Sequence, residues 1–158
     1  FSNFARMPEA QFTQVDLAAK LKSVVQLFAH NHEQTERVYK GPDAGVVVLA
    51  YPEQLTQVFN NLLKNAIQAI PADRKGRIIT QVKTEADKAV FCISDNGTGI
   101  PDEVAAQLFT PNFTTKSTGM GLGLSISRNI VEIAGGTISF TTEAGKGTNF
   151  EVRFPLYG

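Results

Sequence analysis

Ala89-Val90-Phe91-Cys92-Ile93-Ser94-Asp95-Asn96-Gly97-Thr98-Gly99-Ile100 reads as a strand that ends on a carboxylate and runs into a glycine-rich loop. Its first residues are the branched, aromatic and small apolar types that suit a buried strand. An acid at a strand end, entering a loop that alternates glycine with small polar residues, suits recognition of a nucleobase. The carboxylate can accept a hydrogen bond from an exocyclic amine, and glycines without a Cβ let the backbone lie flat beside a ring. Asp-Asn-Gly is also common turn chemistry. Two further clusters shift the balance: Asn61 and Asn65 upstream, and Gly119-Met120-Gly121-Leu122-Gly123 downstream.

Outward from that stretch, 77–84 reads as the partner strand, joined through Glu85-Ala86-Asp87-Lys88. Pro52 opens a helix at a first-turn position; it runs to about Ile70, where Pro71 stops it. Asp16 caps an earlier helix through about Asn31, with Leu17, Leu21, Val24, Val25 and Phe28 at helical spacing. Residues 37–40 and 46–50 read as two short strands around Gly41-Pro42-Asp43-Ala44-Gly45. A short helix follows Pro101. Residues 109–121 form a long irregular loop, and 122–134 a helix ended by Gly135-Gly136. Residues 137–142 and 149–155 make a closing hairpin. Strands joined by short turns imply antiparallel pairing. The expected fold is an α/β two-layer sandwich: a mixed, mostly antiparallel sheet covered on one face by about three helices. Residues 1–14 read as a helix end and linker, so 1–15 stand apart from one domain over 16–158.

The chain has 158 residues, 42% of them hydrophobic, and zero formal net charge. One domain with a sizeable core is expected. No basic field invites nucleic acid or an anionic membrane, and neither a bilayer-spanning run nor a signal peptide is found. The lone Cys92 excludes an internal disulfide framework and a cysteine metal cage; it reads as a buried apolar filler in a reducing compartment. The opening Phe1, in place of Met, suggests a piece of something longer. His30 and His32 fall near a helix end, where a partly positive imidazole is favourable. His32-Glu33 does not start a zinc-protease motif, because Glu36 stands where the second histidine would be.

In the helix after Pro52, Gln57, Asn61, Asn65 and Gln68 share a stripe at spacings of four, four and three. Asparagine is a poor mid-helix residue. Two readings stand: a solvated polar face, or neutral oxygen ligands aimed at a metal–phosphate group, which needs few ligands from protein. Lys64 reaches a phosphate or simply snorkels at the surface. The glycines at 119, 121 and 123 enter a helix, whose free N–H groups and dipole favour an anion; a flexible hinge is the other reading. Leu124 stands where a Rossmann fingerprint needs glycine, and Gly145-Lys146-Gly147-Thr148 lacks the Walker loop. Phe109-Thr110-Pro111-Asn112-Phe113-Thr114-Thr115-Lys116 reads either as a mobile lid, with Lys116 meeting a terminal phosphate, or as a static aromatic plug.

The order of these clusters resembles the GHKL ATPase superfamily, and closely the catalytic ATP-binding domain of bacterial sensor histidine kinases. Gln57-x-x-x-Asn61-Leu62-Leu63-Lys64-Asn65-Ala66 is similar to the family's N box. Asp95-x-Gly97-x-Gly99-Ile100-Pro101 resembles its first glycine box, and Phe109 with Phe113-Thr114-Thr115-Lys116 its phenylalanine box. Gly119-x-Gly121-x-Gly123-Leu124 and Gly145-x-Gly147-Thr148 resemble the later glycine boxes. The resemblance covers about 16–155. Phe1-Ser2-Asn3-Phe4-Ala5-Arg6-Met7-Pro8 also looks like the tail of the dimerisation helix in nitrogen-regulation type sensor kinases.

The resemblance implies a Bergerat-type fold that binds ATP with Mg²⁺. Asp95 would accept the adenine N6 hydrogen bond, with Gly97 and Gly99 making room for the base. Asn65 would coordinate Mg²⁺, with Asn61 shaping the metal–phosphate site. Gly119, Gly121 and Gly123 would let a lid close on the triphosphate, and Thr148 would support the adenine end. Tyr51 stands where an acidic residue often precedes the N-box helix, and Gln68-Ala69 replaces a basic-aromatic pair, so phosphate contacts pass to Lys64 or Lys116. The family's phosphoacceptor histidine sits in a His-Glu/Asp segment of a dimerisation domain, which His32-Glu33-Gln34-Thr35 is not. The implied function is delivery of the γ-phosphate to a histidine elsewhere, in a two-component phosphorelay. Its partners would be a dimerisation domain and a response regulator. This piece would be a cytoplasmic monomer, and the full-length protein an inner-membrane homodimer. The alternatives are another GHKL ATPase or a nucleotide-sensing module without transfer activity.

Overall fold

The computed structural model describes residues 12–29, 35–109 and 120–158. Strand β1 (Thr13–Asp16) leads straight into helix α1 (Leu17–Ala29). Asp16 makes the junction. Its Oδ1 accepts the backbone N–H of Ala19 at 3.0 Å and its Oδ2 that of Gly45 at 2.7 Å. One carboxylate thus caps α1, as its position predicts, and also fastens the loop before β3 (Val47–Ala50).

Strand β1 runs antiparallel to β3, Thr13 opposite Ala50 and Asp16 opposite Val47. Two expectations are corrected here. Residues 13 and 14 are strand rather than linker. Strand β3 pairs with β1 and not with β2 (Glu36–Lys40), so 41–45 is a crossing between sheets and not a hairpin turn. Strand β2 instead runs parallel to β4 (Arg77–Glu85), Glu36 opposite Arg77. Residues 1–11, including the stretch that resembles a dimerisation helix, lie outside the described residues, as do His30 and His32.

The larger sheet has the order β2-β4-β5-β7-β6, where β5 is Lys88–Asp95, β6 Thr137–Glu143 and β7 Gly147–Pro155. Every pairing except β2–β4 is antiparallel, so the mixed, mostly antiparallel sandwich is what the chain forms. Helix α2 (Pro52–Gln68) starts at Pro52 as expected and buries Leu55, Val58, Phe59, Leu62, Leu63 and Ala66. That spacing puts one apolar stripe against the sheet. Phe59 meets Phe91 of β5 edge-on, ring centroids 4.9 Å apart. The short helix α3 (Asp102–Ala105) follows Pro101, and α4 (Met120–Ile133) begins two residues before its expected start. Gly135 and Gly136 terminate α4 by donating to the carbonyls of Glu132 and Val131, at 3.0 and 2.9 Å.

Register decides which side chains face the helices. Ile93 lies opposite Phe150, and Ile78 opposite Asp95. Because alternate residues share a face, Asp95 ends the inward row of β5 that contains the buried Phe91 and Ile93. The other face carries ion pairs, Lys83–Glu85, Arg153–Glu85 and Arg153–Glu151, at 2.8 to 3.0 Å. Exposed pairs of this kind are worth roughly 0–1 kcal/mol each, so this face is solvated rather than held by charge. Cys92 sits on that face, half-buried beside Glu151, and is not the interior filler expected of it.

Candidate functional site

The site is assembled where the ends of β5 and α2 meet. Asp95 is carried to the edge of the core by β5. Its Oδ1 accepts the N–H of Gly97 at 2.8 Å, and the backbone N–H of Thr148 also donates to the carboxylate. Burial raises its pKa above the ordinary aspartate value, and these two N–H groups offset only part of the rise. A carboxylate with lone pairs to spare in a partly desolvated setting is a strong acceptor for a ligand N–H.

The loop after Asp95 hangs from α2. Thr98 N–H donates to the Ala69 carbonyl at 3.1 Å, and Ala69 N–H donates to the Asn65 carbonyl at 3.1 Å. Gly97 lies so close to Ala69 that a Cβ there would overlap the Ala69 carbonyl. Only glycine lets the two backbones approach like this. The β6–β7 turn closes the other side: Gly145 N–H donates to Thr98 O at 2.8 Å, and Gly99 abuts Glu143. Thr148 is buried; its Oγ1 lies 2.9 Å from Thr142 Oγ1, which accepts the Ile100 N–H at 2.8 Å.

One turn before Ala69, Asn65 is 6% exposed, and its Nδ2 has no hydrogen-bond partner among the described residues. Leaving a buried amide unpaired costs about 1–3 kcal/mol, so a native chain that keeps one has a use for it. Asn61, one turn earlier, is fully engaged as a donor: its Nδ2 points to Gly123 O at 3.3 Å and to Ser127 Oγ at 3.2 Å. It locks α2 to α4. The polar stripe is therefore solvated only at its ends, where Gln57 and Gln68 are exposed. It is divided, with Asn61 holding a neighbouring helix and Asn65 left open.

Lys64 is exposed between buried Leu63 and buried Asn65. Gly121 and Gly123 both lie within α4, and a Cβ on Gly123 would stand 3.7 Å from the Asn61 side chain, an ordinary contact. Lys116, Gly119 and most of the phenylalanine box lie outside the described residues; Phe109 packs edge-on to Phe140 at 5.7 Å. A depression of about 450 Å³ is lined by Ser94, Asp95, Thr142, Lys146, Thr148 and Asn149, among others. Ser94 and Asn149 are bonded to each other on the helix-free face, while Asp95 and Thr148 belong to the inward rows, so the depression wraps the end of the sheet where Asp95 lies.

Sequence reasoning missed Arg74. Its Nη1 lies 3.0 Å from Asn96 O, 3.2 Å from Gly97 O and 3.0 Å from Gly145 O. No motif contains it, because it acts on carbonyls that every residue possesses. Asn96 adds a second clasp, its Oδ1 accepting from Arg77 N at 2.7 Å and its Nδ2 donating to Lys75 O at 2.9 Å.

A carboxylate ending a core strand, a glycine loop seated on a helix, and a buried open amide on that helix define a nucleotide-binding ATPase domain. Residues 50–158 match the family model of the histidine kinase-, DNA gyrase B-, and HSP90-like ATPases, and the chain belongs to this family. It is 37% identical over 145 residues to the sensor histidine kinase ZraS of Escherichia coli (strain K12), covering 90% of this chain and 30% of ZraS. The catalytic domain of the histidine kinase ThkA superposes with a TM-score of 0.81 at 30% identity, covering 92% of this chain and 95% of that domain. ThkA in complex with the response regulator TrrA superposes with a TM-score of 0.76 at 28% identity, over 92% of this chain and 42% of that one. The chain is thus a histidine kinase-type ATPase domain, and it spans about 30% of the length of the ZraS relative it matches. Among the described residues, no helix is long and apolar enough to cross a membrane.

The residues present fit a metal-bound triphosphate. Among the described residues no three carboxylate, histidine or cysteine side chains gather into a metal cage. The unpartnered atom of Asn65 is Nδ2, a hydrogen-bond donor that suits a phosphate oxygen; a Mg²⁺ ion that takes most of its shell from phosphate and water would be met by the neutral Oδ1 of the same amide.

Proposed function

We propose that this chain holds ATP with Mg²⁺ and delivers the γ-phosphate to a histidine of a dimerisation domain outside these 158 residues. Asp95 accepts the hydrogen bond of the adenine N6 amine; Gly97 and Gly99 serve this acceptor by letting the loop backbone pack on Ala69 and Glu143, which fill the room their missing side chains leave. Asn65 offers its amide oxygen to the metal and its unpaired Nδ2 hydrogen to a phosphate oxygen. When bound, the ion neutralises charge on the phosphates. Asn61 keeps α4 against α2, so that Asn65 stays at a fixed depth. Thr148 supports the base end through Thr142. Lys64 or Lys116 meets the phosphates, and Gly119, Gly121 and Gly123 let the preceding segment fold over them. Phosphoryl transfer depends mainly on positioning and charge stabilisation, so a domain can supply both without owning the nucleophile.

The observation that carries this reading is the buried, unpartnered Nδ2 of Asn65, on the same helix whose end supports the Asp95 loop. The likeness to ZraS and to ThkA supports a place in a full-length sensor kinase that works with a response regulator; that the full-length protein is a homodimer anchored in the inner membrane is part of the same proposal. The test is to join this chain to a dimerisation segment and supply ATP with Mg²⁺. Acid-labile phosphohistidine is expected, and it is lost in Asp95→Ala and Asn65→Ala. ATP binding with no phosphohistidine would refute the transfer and leave a nucleotide sensor.

A further inference from the structure

We infer that Arg74 is a positioning residue for recognition of the base, acting through the main chain of the Asp95 loop; the inference rests on the reading of Asp95 as the base acceptor. Gly97 is held from both ends. Its N–H is fixed by Asp95 Oδ1 at 2.8 Å, and its carbonyl by Arg74 Nη1 at 3.2 Å. The peptide before it is held as well, through Asn96 O at 3.0 Å. One nitrogen thus shares its two hydrogens among three acceptors, the consecutive carbonyls of the loop and, at 3.0 Å, Gly145 O of the facing turn. That turn continues to Gly147, which packs on the main chain of Asp95 itself.

A glycine without this restraint has the widest choice of backbone conformations of any residue. The Gly97 N–H, together with that of Thr148, sets the rotation of the Asp95 carboxylate, so its direction helps decide where the oxygens point. Arg74 therefore acts one peptide away from the acceptor and fixes it before a ligand arrives. Preorganisation of this kind appears as affinity for the group recognised and not as affinity in general. The Arg74 side chain is one-third exposed and its other partner is the neighbouring Asp73, at 3.4 Å, so the clasp reaches over the surface and is not part of the packed core.

The test measures binding of ATP and of purine riboside triphosphate, which lacks the exocyclic amine, to the whole chain and to its Arg74→Met, Arg74→Lys and Asp95→Ala variants. Arg74→Met is expected to weaken ATP about three- to tenfold, the scale of one ordinary hydrogen bond, and to leave the amine-free analogue within about twofold. The preference for ATP then narrows, and Arg74→Lys, which keeps one donor nitrogen, restores part of it. Equal weakening of both ligands, or an unchanged preference alongside a lower Tm, would show a purely structural role and overturn the inference. If Arg74→Met does not fold, the same ratio in Arg74→Lys decides it, since an undiminished preference there, with the fork gone, overturns the inference equally. Absence of any preference in the parent chain, matched by Asp95→Ala, would instead overturn the reading of Asp95 and this inference with it.

Discussion

The backbone N–H of Thr98 donates to the carbonyl of Ala69 at 3.1 Å, so the loop that follows Asp95 is hung from the end of the helix that carries Asn65. The two halves of the site share one support. A change at the loop–helix contact should be felt at both, whereas a change elsewhere on either element should not.

Glycines 97 and 123 give that coupling a paired test. A side chain at Gly97 would overlap the Ala69 carbonyl and lever the loop off α2. Gly97→Ala is expected to cost about 1–3 kcal/mol of stability, the scale of overpacking, and to abolish measurable ATP binding. At Gly123 the added Cβ would meet Asn61 at 3.7 Å inside a helix. Gly123→Ala is expected to raise stability by about 0.5–1 kcal/mol. Thermal melts of the two variants check both signs. If the second variant gains stability and loses phosphotransfer, the glycine serves motion rather than space.

Asp95→Ala should weaken ATP by roughly ten- to hundredfold, the worth of a hydrogen bond to a charged acceptor, about 1.5–3 kcal/mol. The pH dependence follows from the raised pKa. The ionised form is the one that accepts the amine, so affinity should fall as pH is lowered through a pKa above the ordinary aspartate value. Titration of the ATP phosphates is common to both proteins, and so the difference between parent and Asp95→Ala isolates the carboxylate. Without ligand the sign reverses. A carboxyl that binds its proton more tightly when folded loses stability as pH rises through the interval between its unfolded and folded pKa. Asp95→Asn should therefore melt no lower than the parent at neutral pH while binding ATP less well, and a clear drop in its Tm would contradict the burial argument.

Much of this arrangement was legible in the residues. The Asp95 loop, Asn65, the Pro52 start of α2 and the β4–β5 pair all follow from local chemistry, and local chemistry is what a sequence displays. Two things were not. The partner of β3 depends on β1, whose four residues Thr13–Asp16 are too few and too polar to announce a strand. The clasp by Arg74 acts on main-chain oxygens, so the residues it holds carry no sign of it. Asn61 lies between these cases. Its place on the polar stripe was visible, but its engagement with Gly123 O and Ser127 required α4 to be set against α2.

Asn65→Ala should remove the Mg²⁺ dependence of nucleotide binding while sparing the fold. The side chain is buried with an unpaired donor, so truncation gives up no hydrogen bond from Nδ2 among the described residues. The expected cost to Tm is correspondingly small, against the roughly 2–5 kcal/mol typical of emptying an apolar core position. Calorimetric titrations of ATP with and without Mg²⁺ read the effect. Equal Mg²⁺ responses in parent and variant would remove Asn65 from the metal site.

Asp16 offers a test of the scaffold independent of ligand. Burial raises its pKa, but N–H groups of Gly45, Ala19, Val46 and Ala18 outweigh that and leave it below the ordinary value. A carboxylate with a depressed folded pKa contributes stability above its unfolded pKa and loses it as pH falls through the folded one. Asp16→Ala should therefore lower stability by about 0.5–2 kcal/mol at neutral pH, the range for a lost helix cap. In acid the parent's advantage should shrink, because the proton removes most of what the substitution removes. Denaturant unfolding of both proteins across that range provides the check. A difference that stays constant into strong acid would mean that the carboxylate's charge plays no part in fastening α1 to the loop before β3.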